Sequence, residues 1–465
     1  MLLEQFYLES LGHASYLVGD ERTRQALVFD PRRDVDVYVR GARRHGLRIA
    51  YAADSHGHND YVSGLAELAE RTGAQLWASA SGTFGYEHRP LRDGDVVEMG
   101  DVGIRVLHTP GHTPEHLSLL LFDRALSAET PVALLSGGVL LVGDVGRPDL
   151  LGGAEQARRG AEALCHTLQQ KVLALPDHVE VLPTHVAGSL CAANIGNRLA
   201  TTIGYERAVN PTLARVNAAG GSADECLGQG ELPTPPPYWR RLRDRNLGGA
   251  APLGALAEPP PLTAGDLDEL RRSGQPVLDT RSPDEFGVSH VPGALNVGLG
   301  PGFTTWAGTV LQPGTQPVLV LDGPDALWEA TWQLLRIGLP PPQGWLAGGM
   351  TAWRTAHLPL GMIGQIDVDE LAARLEAGAV HLLDVRQPGE WAAGHVAGAR
   401  HVTGAELPDR LHEVPDGRPL AVTCSSGYRS SVAASLLARA GRSQVLNVLG
   451  GMTAWQRAGL PVARE

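Results

Sequence analysis

An internal repeat constrains this chain more than any other feature. The block Gly348-Gly349-Met350-Thr351-Ala352-Trp353 recurs as Gly450-Gly451-Met452-Thr453-Ala454-Trp455. Upstream of each copy lies a second shared block. Leu278-Asp279-Thr280-Arg281 with Glu285, His290 and Gly293-Ala294 matches Leu383-Asp384-Val385-Arg386 with Glu390, His395 and Gly398-Ala399. A pattern repeated over about 100 residues implies two homologous modules, each large enough for its own core. Val380-His381-Leu382-Leu383 and Leu420-Ala421-Val422-Thr423 read as buried strands, and Ser430 to Gly441 carries apolar residues at helical spacing up to a glycine cap. Strand–helix alternation of this kind predicts an α/β module built on a parallel sheet.

The remaining length needs a further unit, because 465 residues exceed what one core can serve. A proline-rich stretch, Leu232-Pro233-Thr234-Pro235-Pro236-Pro237, leads through Gly248-Gly249 to Pro259-Pro260-Pro261 and reads as an extended connector. The expected division is an N-terminal domain over 1–230, a linker over 231–260, and modules over 261–361 and 362–465. A composition of 43% hydrophobic and 19% charged residues is that of an ordinary globular protein. The net charge of −12 is spread along the chain with no Lys/Arg-rich run, so the electrostatic case for nucleic acid is missing. The start, Met1-Leu2-Leu3-Glu4-Gln5-Phe6, lacks the basic and apolar regions of a signal peptide, and no run of about 18 apolar residues occurs. A cytoplasmic protein without a membrane span is expected. Four cysteines (Cys165, Cys191, Cys226, Cys424) without paired spacing fit reduced thiols better than a disulfide framework.

One of those cysteines is placed for chemistry. In Thr423-Cys424-Ser425-Ser426-Gly427-Tyr428-Arg429-Ser430 a cysteine follows a strand directly, then a tight loop, then a helix. Loop amides converging on the sulfur and the positive end of the helix stabilise an anionic sulfur species. Arg429 adds a fixed positive charge for an anionic donor. A buried structural cysteine is the commoner fate of a lone Cys, but it does not account for this loop. Phosphate ester hydrolysis also uses a Cys–Arg loop, one residue longer than the loop of Ser425, Ser426, Gly427 and Tyr428. Together with Asp384-Val385-Arg386, Glu390, Gly394-His395-Val396 and the terminal Gly-Gly-Met-Thr-Ala-Trp block, the segment resembles the rhodanese family. That resemblance implies a Cys424 persulfide, with sulfane sulfur passed between thiosulfate, thiol persulfides and acceptors. Asp384 and Arg386 are expected to hold the fold. In the middle module Asp322 falls where Cys424 sits, and no cysteine occurs between Cys226 and Cys424. That module resembles an inactive rhodanese.

The first 230 residues carry histidines at successive strand ends. Asp54-Ser55-His56-Gly57-His58-Asn59-Asp60-Tyr61 is a His-x-His-x-Asp cluster, His112 follows a Pro-Gly turn, and His185 follows Val181-Leu182-Pro183. Alternate residues on an extended loop point the same way, so His56 and His58 can face one centre. Taken singly, each is more often a surface or core histidine; together they point to a metal site. With Phe29-Asp30-Pro31-Arg32-Arg33-Asp34, Gly143-Asp144-Val145-Gly146-Arg147-Pro148-Asp149-Leu150, Gly188-Ser189-Leu190-Cys191 and Gly204-Tyr205-Glu206, the region resembles the metallo-β-lactamase superfold, an αββα sandwich. Within it, the match is to the persulfide dioxygenase branch.

That resemblance implies one Fe(II) per chain on two histidines, His56 and His112, and an aspartate. Tyr61 stands where dinuclear hydrolases of the superfold have a second-metal ligand, which argues against thioester hydrolysis. The aspartate position reads Gly138 in Leu135-Ser136-Gly137-Gly138-Val139. Asp144 lies about 20 Å further along an extended chain and does not substitute. The resemblance leaves three outcomes: weak iron with water, halide or substrate sulfur in the open position; His58 or Asp60 moving in; or no catalytic metal. Arg147 is expected to contact an anionic substrate, and His58, Asp60, His185 and Cys191 to line the pocket. Cys191 is read equally as a redox-active thiol or a small packed residue, and Cys165 and Cys226 as bystanders.

The preferred reading is an enzyme of sulfane-sulfur metabolism and hydrogen sulfide detoxification. It would oxidise a low-molecular-weight thiol persulfide to sulfite on iron and exchange sulfur with thiosulfate through Cys424, as a homodimer by resemblance. The alternative is a sulfurtransferase whose N-terminal domain is metal-deficient and non-catalytic because of Gly138.

Overall fold

The computed structural model describes residues 1–218 and 232–464; Cys226 lies outside them. They form two compact units, one of residues 1–218 with Trp239–Leu256 and the other of residues 232–238 with 257–464. Among the described residues no helix is long and apolar enough to cross a membrane.

The first unit holds two six-stranded sheets. One runs in chain order through Leu2–Leu8, His13–Asp20, Gln25–Phe29, Arg48–Ala53, Gln75–Ser79 and Arg89–Leu91. The other is ordered Thr201–Thr202, Glu180–Pro183, Pro131–Gly137, Leu117–Asp123, Val102–His108 and Val96–Met99. The period of two along each strand divides its residues between two cores. Ala14, Tyr16 and Val18 of the second strand join Leu119, Leu121 and Leu135 between the sheets. Leu17, on the opposite face, packs with Tyr38, Ala42, Leu65 and Leu68 of the helices Asp36–Arg44 and Leu65–Thr72. The second sheet repeats the scheme, with Leu120, Phe122 and Leu134 buried against Ala161 and Leu164 of the helix Ala154–Thr167. Helices outside two facing sheets give the expected αββα sandwich.

The segment read as an extended connector behaves differently. Trp239–Gly248 is helical and belongs to the first unit. Trp239 and Leu242 are buried, and the Arg33 guanidinium donates to the Ala251 carbonyl at 2.5 Å. Cys165 is disulfide-bonded, so the expectation of reduced thiols throughout is corrected there, and Cys165 is no bystander. Cys191 and Cys424 are free and buried.

In the second unit the repeat becomes a pair of five-stranded parallel sheets with matching strand orders. The first is Pro261–Leu262, Gly344–Leu346, Val318–Val320, Val277–Asp279 and Leu295–Asn296. The second is Gly364–Ile366, Val445–Val448, Leu420–Thr423, His381–Asp384 and Arg400–His401. The repeated Asp-x-Arg closes on itself in both: Arg281 Nη2 reaches Asp279 at 2.6 Å and Arg386 Nη2 reaches Asp384 at 2.7 Å. Arg386 also donates to the carbonyls of Glu390 (3.1 Å) and Gly394 (2.8 Å), as a structural brace should.

Candidate metal centre and sulfur-transfer loop

The Gly-Gly-Met-Thr block of the C-terminal module explains its own composition. Gly450 and Gly451 have φ of +65° and +51°, and a Cβ on Gly451 would lie 2.2 Å from the Cys424 carbonyl oxygen. Only glycine lets the next helix start that close. Its first amides then donate to the Cys424 and Ser425 carbonyls, from Met452 at 2.7 Å and Thr453 at 3.0 Å. The loop is thus held from behind while its front faces the sulfur. Gly427 (φ +104°) turns its N–H onto Cys424 Sγ at 3.1 Å, and Ser430 Oγ lies 3.4 Å away. The helix Tyr428–Arg439 begins at that point.

Arg429, expected to offer its charge to an anionic donor, is paired inside the module. It is bound bidentately by Glu390 (2.7 and 2.8 Å) and donates to Ser425 Oγ at 2.7 Å. Ser425 in turn donates to Glu390 at 2.6 Å. Burial opposes ionisation of Glu390, but Arg429 and Ser425 outweigh it and hold the carboxyl down at about 2. Glu390, read in the sequence as part of the repeat and of the rhodanese resemblance, is therefore the organiser of the loop. Tyr428 donates its hydroxyl to the Gly298 carbonyl of the middle module at 2.8 Å. A cavity of about 350 Å³ is lined by Ser426, Gly427 and Tyr428 together with Pro283 and Asp284. Cys424 itself is 0% exposed. In the middle module, Asp322 lines a separate cavity of about 600 Å³ with Arg281, Glu285 and Arg354.

In the first unit five of the expected residues come together. His56, His112 and His185 each offer a donor atom, all within 4.8 Å of one another, and so do His58, Asp60 and His185. All five are at most 2% exposed. The strand ends supply them: His56 and His58 follow Arg48–Ala53, and His185 follows Glu180–Pro183. Two further residues, not among the expected site residues, complete the cluster. His116 stacks on His56 with centroids 5.2 Å apart, and its Nε2 accepts the Gly138 N–H at 2.8 Å. Asp30, at φ +54°, is the hub beneath: it accepts from Ser55 N (2.5 Å), His58 Nε2 (3.0 Å) and Thr184 Oγ1. Its place after a strand in Phe29-Asp30-Pro31 was the available signal.

Burial sets the protonation of the cluster. It pushes His112 and His116 down to about 3, and His56 well below the ordinary imidazole range. Burial also disfavours charge on His185, yet the Cys191 sulfur and the Asp60 carboxylate overcome it and raise His185. Asp60 is pulled to about 2 against its own burial by His185 and His58. Cys191, free and fully buried, packs beside His185.

The remaining expectations fare unevenly. A Cβ at Gly138 would meet His112 Cδ2 at 2.6 Å and Nε2 at 3.1 Å, so the His112 ring occupies the room a side chain there needs. Asp144 accepts from Val145 N, Asn194 N and Thr212 Oγ1, away from the histidines. Arg147, expected to contact an anionic substrate, is 5% exposed and forks onto Asp149 at 2.8 and 2.6 Å. Its carbonyl accepts from His112 Nδ1 at 2.9 Å. Tyr61 packs on His58 with ring centroids 4.6 Å apart and donates to the Asp30 carbonyl at 3.3 Å. The helix Trp239–Gly248 braces this loop. Asn246 Nδ2 donates to the His58 and Tyr61 carbonyls (2.7 and 2.8 Å), and Arg243 forks onto Glu115 at 2.8 Å.

The donor set fits a divalent ion through imidazole nitrogens, since Nε2 of His56 and both ring nitrogens of His185 are buried without a hydrogen-bond partner. His56 and His112 are not joined by an aspartate at position 138, because Gly138 offers no carboxylate.

Comparison with known proteins agrees with this picture. The rhodanese-like domain model matches residues 263–356 and 367–458. A sulfurtransferase of Allochromatium vinosum is 38% identical over 102 residues, 22% of this chain and 95% of that protein. Persulfide dioxygenase ETHE1, mitochondrial, of Bos taurus is 29% identical over 220 residues, 46% of this chain and 76% of that protein. The crystal structure of a metallo-beta-lactamase from Staphylococcus aureus subsp. aureus COL aligns at 30% identity with a TM-score of 0.65, covering 74% of this chain and 98% of that one. These relatives are enzymes, and the shared domains place the chain in sulfur metabolism. The chain therefore belongs to the rhodanese family over its second half, and as a whole is a metallo-β-lactamase-fold, persulfide-dioxygenase-like domain fused to two rhodanese domains.

Proposed function

We propose that the chain oxidises a low-molecular-weight thiol persulfide to sulfite with Fe(II) in its first unit and moves sulfane sulfur through Cys424 in its second. The observation that carries the transfer half is the Gly427 N–H on Cys424 Sγ at 3.1 Å, at the start of a helix. An amide and a helix N-terminus together favour the anionic sulfur that transfer needs. The Cys424 thiolate attacks the outer sulfur of the donor, the donor's S–S bond breaks, and the donor thiol or sulfite leaves with the bonding pair. The terminal sulfur of the Cys424 persulfide then passes to a thiol, or to sulfite to give thiosulfate, returning the thiolate.

For the oxidation, a thiol persulfide, O₂ and water give the thiol, sulfite and two protons; the sulfane sulfur loses the four electrons that O₂ gains. His56 and His112 would hold the iron, which supplies open positions for persulfide sulfur and O₂. The buried setting of the histidines keeps water from the reacting sulfur, and the Arg147 carbonyl fixes the His112 ring. After anaerobic iron loading we expect about one iron per chain, and O₂ uptake with glutathione persulfide. Cys424→Ser should abolish thiosulfate:cyanide transfer and spare O₂ uptake.

One observation favours a second reading, a sulfurtransferase with a non-catalytic first unit: Gly138 in place of the carboxylate. Transfer through Cys424 without iron uptake or O₂ consumption would select it.

A further inference from the structure

The gap at Gly138 poses a question that the histidine geometry answers. A divalent ion on His56 and His112 alone would keep only two neutral donors. A third imidazole is already beside them, in a strand-end position fixed on both sides. The Thr184 N–H donates to the Gly137 carbonyl at 2.9 Å, and Thr184 Oγ1 to Asp30. His185 itself bridges to His13 through the backbone.

The outward nitrogens of two rings are hydrogen-bonded, and that of His185 lies only within ion-pair distance of a carboxylate. His56 Nδ1 meets Ser55 Oγ at 2.8 Å, His112 Nδ1 meets the Arg147 carbonyl at 2.9 Å, and His185 Nδ1 faces Asp60 Oδ2 at 3.4 Å. Such outer partners fix the tautomer of a metal-bound histidine and leave the other nitrogen to the ion. That leaves Nε2 of each, and those of His56 and His185 have no partner although both residues are at most 2% exposed. The rival set of His58, Asp60 and His185 also holds unpartnered atoms, His58 Nδ1 and both Asp60 oxygens, but His58 Nε2 is held by Asp30 at 3.0 Å and Tyr61 packs on its ring.

We propose that His56, His112 and His185 form a three-imidazole site for one divalent transition ion. His185 takes over the ligand place left by Gly138, and Asp60 orients it. The inference rests on the metal-dependent reading above and adds a third donor to its two histidines. Three neutral ligands leave the full charge of the ion in a buried site, so the site should prefer an anionic partner such as a persulfide sulfur. It should also accept ions suited to imidazole.

The test is anaerobic titration of the metal-free full chain with Co(II), read by visible absorption and repeated with Fe(II). Wild type should bind one ion per chain. His185→Ala should weaken binding by at least about 10-fold, the range known for losing even an outer-shell partner, and His58→Ala should leave it within a few-fold. Retained Cys424-dependent sulfur transfer and an unshifted thermal transition would show that each variant is folded. Should His185→Ala fail to fold, X-ray absorption of Co(II)-loaded wild type decides without it, since imidazole scattering counts the rings. Two rings, or unchanged affinity in a folded His185→Ala protein, overturns the assignment of His185 and leaves the dioxygenase reading standing. No metal uptake by wild type overturns both.

Discussion

Replacing Glu390 by Gln should loosen the Cys424 loop without touching the cysteine. The carboxylate accepts two hydrogen bonds from Arg429 (2.7 and 2.8 Å), one from Ser425 (2.6 Å) and one from Gln387 N (3.1 Å). A hydrogen bond to a charged group contributes about 1.5–3 kcal/mol. The amide of Gln keeps one oxygen acceptor but turns its NH₂ toward the guanidinium. Two charged contacts are thus lost, an upper figure of about 3–6 kcal/mol. The Glu390 and Arg429 side chains are 35% and 21% exposed, so solvent screening cuts this roughly in half. We expect a loss of about 1.5–3 kcal/mol in urea denaturation, and at least about a 10-fold lower kcat/KM for thiosulfate:cyanide transfer as the loop loses its brace.

The pH dependence has a definite sign. The folded carboxyl titrates near 2, below its ordinary 4.5, so the unfolded chain binds the proton more readily. The stabilisation from Glu390 is complete above about pH 4.5 and fades as pH falls toward 2. The stability gap between wild type and Glu390→Gln should therefore be full at neutral pH and shrink with acidification. A gap below about 0.5 kcal/mol at neutral pH, with transfer unchanged, would refute the assignment of Glu390 as organiser.

Three further outcomes are expected. Asn246→Ala leaves the buried His58 and Tyr61 carbonyls and the Ser63 N–H without partners; it should cost about 2–4 kcal/mol by urea denaturation and weaken Co(II) binding. Gly427→Ala forces a side chain to φ +104° and tilts the amide off the sulfur; kcat/KM for transfer should fall at least about 10-fold. Gly138→Asp places Cβ 2.6 Å from the His112 ring; overpacking should cost about 1–3 kcal/mol by thermal or urea denaturation, and metal affinity should not rise.

Repetition and strand-end chemistry made most of this architecture legible. Apolar runs marked the strand ends that carry the His56 cluster and His185, and the duplicated Gly-Gly-Met-Thr-Ala-Trp block predicted two like modules. What stayed hidden are the partners that meet only through tertiary structure. Nothing in the spacing of Glu390 and Arg429 tells that the guanidinium turns inward onto that carboxylate. Nothing in a stretch flanked by Pro233-Thr234-Pro235-Pro236-Pro237 and Pro259-Pro260-Pro261 tells that Asn246 caps the carbonyls of a histidine loop 188 residues earlier. The missing carboxylate was plain in the sequence, but not its consequence. A glycine reads as a vacancy until the structure puts the His112 ring into the space. A chain that has closed over the carboxylate position while keeping unpartnered imidazole nitrogens has changed its ligand field instead of simply losing a ligand. That is why the identity of the third donor, and not the presence of His56 and His112, decides what the first unit can hold.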